Sequence, residues 1–343
     1  MIRIQKEEGL TFDDVILVPR RSSFGSRFNG DLDFSVEIVP GIKIQYPIVS
    51  ANMDTVTGSA MALTMRELGA LGIIHRFFEP DKHKEQLKEM IGPEKNIILC
   101  VGVGDDRDDL LKHCQIFDGV LIDIAHGHSD LMIDKIHKIK DIVPDMPIIA
   151  GNVATGEGAL DLVDAGASCI KCGVGPGSVC TTRIKTGCGV PQLSAIIDVE
   201  QAIRGRATVI ADGGIRNSGD IVKALAAGAD AVMVGRLFAG SDESPGEIIS
   251  IPGRGKFKVY RGMASRAAQE DWKGKATSIE GEMTWIPYQG SVRNIFEELI
   301  SGMKSGMSYQ NAHNVKELRE NALFIKQTAA GVTEAKPHAL FKE

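Results

Sequence analysis

Cys180 stands in Gly173-Val174-Gly175-Pro176-Gly177-Ser178-Val179-Cys180-Thr181-Thr182-Arg183, where three glycines in five residues precede a thiol and two hydroxyls. Glycine lets the backbone turn tightly and bring its N–H groups close to a ligand. A thiolate is a strong nucleophile at neutral pH where its pKa is lowered, and such a loop is a place for that. The apolar run Ala167 to Cys172 enters the loop, so the spacing predicts a nucleophile at the end of a strand, above an anion or a planar ligand. A glycine hairpin with a buried thiol is the plainer alternative. Ala211-Asp212-Gly213-Gly214 and Val234-Gly235-Arg236 also follow apolar runs, and Ser218 and Gly219 open the next helix. Backbone N–H groups there suit a phosphate, and the two oxygens of an ionised Asp212 suit both hydroxyls of a ribose; simple glycine turns are the alternative.

The elements that must position these residues repeat one unit: a short apolar run, a polar or glycine-rich stretch, then a helical pattern. The expected strands are 46–50, 71–75, 97–101, 119–124, 147–150, 168–172, 208–211 and 231–234. Eight is the number that closes a parallel (β/α)8 TIM barrel. Gly69-Ala70, Gly166-Ala167 and Gly228-Ala229 each end a helical stretch and lead into a strand, as glycine past a helix end does. Ser129 is placed to cap a helix carrying Met132, Ile133, Ile136, Ile139 and Val143, which Pro144 stops. A doubly wound sheet would call for an early G-x-G-x-x-G, which is missing. The barrel is expected to be a single domain, with its core at about 45–240 and a flap and C-terminal helices at about 255–330. Polar or glycine-rich residues follow its strands with regularity: Asn52 and Asp54, His75 and Arg76, Asp123 and Ser129, Gly151 and Asn152, the Cys180 loop, Asp212 to Gly214, Gly235 and Arg236. Barrel enzymes keep their chemistry at that end.

Composition narrows the partners. A formal net charge of −6 without a Lys/Arg run argues against nucleic acid or a membrane surface as the main partner. With no leader-like or long apolar stretch, a cytosolic protein with reduced thiols is expected. Cys169-Ile170-Lys171-Cys172 has C-x-x-C spacing, but in a strand residues three apart face opposite ways, so two core thiols are the better reading. His126 and His128 have no third ligand nearby for a metal.

The Cys180 loop, with Gly187, Gly189, Pro191 and Gln192 after it, closely resembles the active-site loop of the IMP dehydrogenase and GMP reductase family. The likeness runs from Gly9-Leu10-Thr11-Phe12-Asp13-Asp14-Val15 to about Ala330. It implies attack of Cys180 on purine C2 to give a covalent thioimidate, with Thr182 relaying a proton. Glu280 lies nine residues before the position where the family has Lys-Gly, the spacing of its catalytic Glu or Gln. The resemblance further implies Ser178, Gly213, Gly214, Gly235, Arg236 and Tyr260 around the 5′-phosphate side and Asp212 on the ribose. Tyr260-Arg261-Gly262-Met263-Ala264 resembles the segment that contacts base and phosphate. Asp123, Ile124, Ala125, Asn152, Val174 and Gly175 resemble the nicotinamide pocket. Gly175, Gly177, Cys180 and Arg183 match a monovalent-cation site, K+ in the family. A homotetramer is also implied.

Both branches of the family pass through the same adduct and differ in its fate. The dehydrogenase oxidises IMP with NAD and hydrolyses the adduct with an Arg-Tyr pair on a long flap. The reductase expels ammonia from GMP and reduces the adduct with NADPH. Ala264 to Ile279 contains no tyrosine, and there is no room for the usual CBS insert between the second and third strands. Ser26 and Arg27 match the reductase's residues near the adenosine 2′-phosphate, and Arg76 holds the place of a helping reductase lysine; arginine pairs well with phosphate. Features such as Glu243-Ser244-Pro245-Gly246-Glu247 look like the dehydrogenase, and Tyr309-Gln310-Asn311-Ala312 departs from the family's glycine-containing segment. The expectation is therefore GMP reductase. A dehydrogenase without the CBS insert and a non-catalytic purine-nucleotide-binding protein are the alternatives.

Overall fold

Eight apolar runs become the strands of one parallel sheet in the computed structural model, which describes residues 8–25, 32–92, 96–104, 108–112 and 115–337. The barrel strands are β1 (Ile48–Ser50), β2 (Leu71–Gly72), β3 (Ile98–Val101), β4 (Gly119–Asp123), β5 (Ile148–Val153), β6 (Cys169–Cys172), β7 (Thr208–Asp212) and β8 (Ala231–Val234). Their order in the sheet is β2-β1-β8-β7-β6-β5-β4-β3, so the last strand pairs with the first, Val232 opposite Ile48. That cyclic order is the (β/α)8 TIM barrel. Among the described residues, no ladder joins β2 to β3. The strands are buried on both faces, which is why they read as unbroken apolar runs rather than as alternation.

The ends of the strands differ from expectation for local reasons. Pro47 has no N–H to give to a ladder, and Ile48 N–H turns back to the Tyr46 carbonyl at 2.7 Å, so β1 starts at Ile48. β2 stops at Gly72, where its pairing with β1 ends, although Ile73 and Ile74 stay buried. β5 runs on to Val153 through a register shift between Gly151 and Val153, which delivers Asn152 to the top of the barrel.

The glycine signals at helix ends hold. Gly69, Gly166 and Gly228 have φ of +73°, +115° and +118°. At each, the next alanine donates five residues back: Ala70 to Met65, Ala167 to Leu162 and Ala229 to Ala224. This is one Schellman closure used three times. Ser129 does occupy the N-cap position of the helix Asp130–Ile142, but its hydroxyl makes no capping bond and is buried without a partner.

Below the barrel, the hairpin Val36–Val39/Ile42–Ile44 covers the N-terminal mouth, where the Thr208 hydroxyl donates to the Ile38 carbonyl. Above β8, an antiparallel sheet of Ile249–Ile251, Gly255–Arg261 and Met283–Pro287 rises beside the opposite mouth, with the helix Arg266–Lys273 in its longest connection. Among the described residues no helix is long and apolar enough to cross a membrane.

Gly72 shows how tightly the barrel wall meets its helices. A Cβ there would overlap the Ala62 backbone and stand 2.9 Å from Ala62 Cβ in the helix Ser59–Glu67. Gly72→Ala is expected to cost roughly 1–3 kcal/mol by overpacking, seen as a lower Tm. Unchanged melting would mean that helix and strand can separate freely.

Candidate active site

At the C-terminal ends of the strands the chain encloses a cleft of ≈ 550 Å³. Its lining brings together Cys180, Thr182 and Glu280 with Ser178, Asp212, Gly213, Gly214, Gly235, Arg236, Tyr260, Gly262, Met263 and Ala264. Arg76, Asp123, Ile124, Ala125, Asn152, Val174, Gly175 and Gly177 line the same space. Ser26 and Arg27 lie outside the described residues. Arg183 does not line the cleft; its guanidinium runs beneath the loop and donates to the carbonyls of Val174, at 3.2 Å, and Val190.

Backbone geometry shapes the loop. Gly173 has φ +144°, and a Cβ there would overlap the Asp212 carbonyl, so the loop can leave β6 against β7 only as glycine. Gln192, buried behind it, donates to the carbonyls of Cys172 at 3.0 Å and Asp212 at 3.2 Å. The Cys180 thiol donates to the Thr182 hydroxyl at 3.2 Å, and the Ser178 hydroxyl to Tyr260 Oη at 3.3 Å. Thr181 N–H donates to the Glu280 carbonyl and Glu282 N–H to the Val179 carbonyl, both at 2.9 Å. The recorded partner of the Glu280 carboxylate is the Ser278 hydroxyl, at 3.3 Å, rather than Thr182. Among the described residues the Thr182 hydroxyl is paired with Cys180 instead.

Gln269 sets the position of that segment. Its amide donates to the carbonyls of Ala264 and Ser278 and accepts from Thr277 N–H at 3.1 Å, folding 264–280 over the site. Arg261 joins Asp54, at 2.5 Å, to Asp271 of the overlying helix, also at 2.5 Å.

The floor of the cleft is ionic. Lys171 Nζ lies 2.7 Å from Asp123 Oδ1 and 2.7 Å from Asp212 Oδ2. Asn52 donates to Asp123 Oδ2 at 2.8 Å, and Asn152 to Asp212 Oδ2 at 2.9 Å. Burial opposes ionisation of Asp123, but Lys171, Arg76 and the Asn52 hydrogen bond outweigh it and hold the carboxyl below its ordinary value. Burial likewise opposes the Lys171 charge, and the two carboxylates overcome it, raising its pKa. Sequence reasoning missed Lys171, whose signal was a single charge inside an apolar strand. It missed Gln192 and Gln269 as supports as well. Asn152 Oδ1 is buried and has no hydrogen-bond partner among the described residues.

The C-x-x-C pair consists of two free, buried thiols. Burial pushes Cys100 and Cys169 up to about 12 and raises Cys172 as well. Native protein treated with a thiol alkylator near neutral pH should therefore be labelled at exposed Cys188 and half-buried Cys180, and at Cys100, Cys169 and Cys172 only after unfolding. Peptide mapping that found Cys169 or Cys172 modified in the native state would contradict this burial.

Residues 9–338 match the family described as IMP dehydrogenase / GMP reductase domain. Inosine-5′-monophosphate dehydrogenase of Borreliella burgdorferi is 36% identical, with 98% of each chain covered. That of Bacillus subtilis is 34% identical over 97% of this chain and 96% of the other. A solved GMP reductase from Trypanosoma brucei, a cysteine-to-alanine variant in complex with guanosine 5′-monophosphate, superposes with a TM-score of 0.91 at 27% identity, covering 98% of both chains. With its barrel, its cysteine loop and these matches, the chain belongs to the IMP dehydrogenase / GMP reductase family.

Proposed function

We propose that this family member is a GMP reductase, converting GMP to IMP and ammonia with NADPH. The observation that carries the reading is the segment between Met263 and Glu280. It forms a short helix, Arg266–Lys273, and a turn pinned by Gln269, with no tyrosine anywhere in Ala264 to Ile279. Hydrolysis of a cysteine adduct needs a base that activates water, and this segment offers no Arg-Tyr pair. Relatives named as dehydrogenases favour the second reading, oxidation of IMP with NAD.

In the proposed reaction the Cys180 sulfur bonds to C2 of GMP. A proton passed through Thr182 from Glu280 leaves with the 2-amino group as ammonia. The purine is then held on Cys180 as a thioimidate. NADPH, when bound, supplies a hydride to C2. As the C2–sulfur bond breaks, Cys180 recovers its electron pair and IMP is free. Asp212 accepts from the ribose hydroxyls, and Ser178, Tyr260, Gly214, Gly235 and Arg236 take the phosphate. Asp123 and Asn152 face the nicotinamide.

Beyond Arg76 a second cleft of ≈ 610 Å³ adjoins the first, lined also by Phe77, Lys82, Trp272 and Lys273. The Arg76 guanidinium lies 4.5 Å from the centre of the Phe77 ring. A basic and aromatic recess suits an adenosine bearing a 2′-phosphate. A K+ ion at the carbonyls of Gly175, Gly177 and Cys180 and a homotetramer belong to the same reading. Omitting K+ from the assay and measuring the mass in solution test those two.

The deciding measurement is a paired assay, GMP with NADPH against IMP with NAD. GMP-dependent loss of NADPH with release of ammonia is expected. Appearance of NADH and XMP instead would establish the dehydrogenase. In the productive assay Cys180→Ala should abolish turnover, and Glu280→Gln should lower kcat roughly a hundredfold or more. Arg76→Ala should raise KM for NADPH more than for NADH, and equal effects on the two cofactors would remove Arg76 from the 2′-phosphate.

A further inference from the structure

Lys171 has no part in the reaction described above, yet only 3% of it is exposed at the centre of the cleft floor. Its ammonium directly links two carboxylates of different strands, Asp123 at the end of β4 and Asp212 at the end of β7. Both lie 2.7 Å from it, so they stand no farther apart than twice that distance. β5 makes room for the lysine. A Cβ on Gly151 would lie 2.6 Å from Lys171 Cβ and 2.5 Å from its carbonyl oxygen.

We propose that Lys171 is a positioning residue that keeps Asp123 and Asp212 ionised together, so that the nucleotide side and the cofactor side of the cleft depend on one shared ammonium. The assignment of each carboxylate to a ligand rests on the proposed function. The charge argument does not. Two partly buried carboxylates this close, without a cation between them, share a proton, and a protonated carboxyl gives up part of its capacity as an acceptor.

Among the described residues, Lys171 is the cation that forms an ion pair with both carboxylates. Arg76 also favours the charged form of Asp123. The Cys100 and Cys172 thiols are pushed up by burial and stay neutral, as does the buried Tyr260 phenol. Asn52 and Asn152 donate hydrogen bonds but carry no charge.

The test compares Lys171→Met, Lys171→Arg and the double variant Lys171→Met/Asp123→Asn by thermal unfolding without ligand across pH, and by calorimetry of GMP binding. In Lys171→Met the carboxyl pair has a raised pKa in the folded state. Its folded state is therefore penalised increasingly as pH rises from the ordinary carboxylate range, about 4, through that raised value. The Tm deficit relative to wild type should widen over this interval and then level off, and adding Asp123→Asn should remove the pH dependence. GMP binding to Lys171→Met should weaken roughly thirtyfold, with most of it restored in Lys171→Arg. A Tm deficit that is the same at every pH, or unaltered GMP binding, would overturn the proposal. If Lys171→Met does not fold, the double variant should, and its failure to recover would overturn the proposal as well. Neither readout needs turnover. A dehydrogenase would fail the GMP and NADPH assay while leaving the dependence of Tm on pH as expected here.

Discussion

Two backbone hydrogen bonds between Val179–Thr181 and Glu280–Glu282 hold together loops a hundred residues apart, and the active site depends on them. Backbone N–H and C=O groups in a loop must find partners or water. The Cys180 loop finds its partners in the 280 segment, and that segment finds others at Gly262 and Ala264. Each such bond contributes only about 1 kcal/mol net. The contact is strong enough to define a wall for the cleft and weak enough to open for a ligand without disturbing the barrel.

That arrangement explains why similarity to dehydrogenases does not decide the reaction. The likeness extends over nearly the whole chain for the dehydrogenases and the reductase alike. In the proposed reading the two branches differ in what the connection between Met263 and Glu280 brings to the rim. Here it brings a helix held by Arg261 and Gln269 and topped by Trp272, which rests against Phe77 with ring centres 5.0 Å apart. These contacts lie between the two clefts, and Ala264 to Ile279 contains no tyrosine.

Much of this was legible in the sequence, for identifiable reasons. Strands buried on both faces announce themselves as apolar runs, and all eight were found, with errors only at ends set by ladder partners. The Schellman glycines at 69, 166 and 228 act locally and could be read locally. Lys171 could not be read, because its meaning lies in Asp123 and Asp212, which only the closed barrel brings to it. Inside the Cys169–Cys172 run it passed as a companion of two core thiols. Asn311 is the converse. Where the family has a glycine-containing segment, this chain places asparagine at φ +51°, a conformation that asparagine tolerates better than most residues. Its side chain accepts from Ser23 N–H at 2.8 Å, so the departure keeps the turn and adds a tether to the N-terminal segment.

Floor and rim are thus built by different physics. The floor stands on strand ends, where Lys171 and its carboxylates sit in a low-dielectric setting that strengthens their attraction and is poorly screened by salt. The rim consists of loops joined by a few backbone bonds and carries Cys180, Thr182 and Glu280. Groups on the floor are therefore held more firmly than those on the rim. The recorded geometry fits this division: the Glu280 carboxylate is turned to Ser278, and the Cys180 thiol is already turned to Thr182.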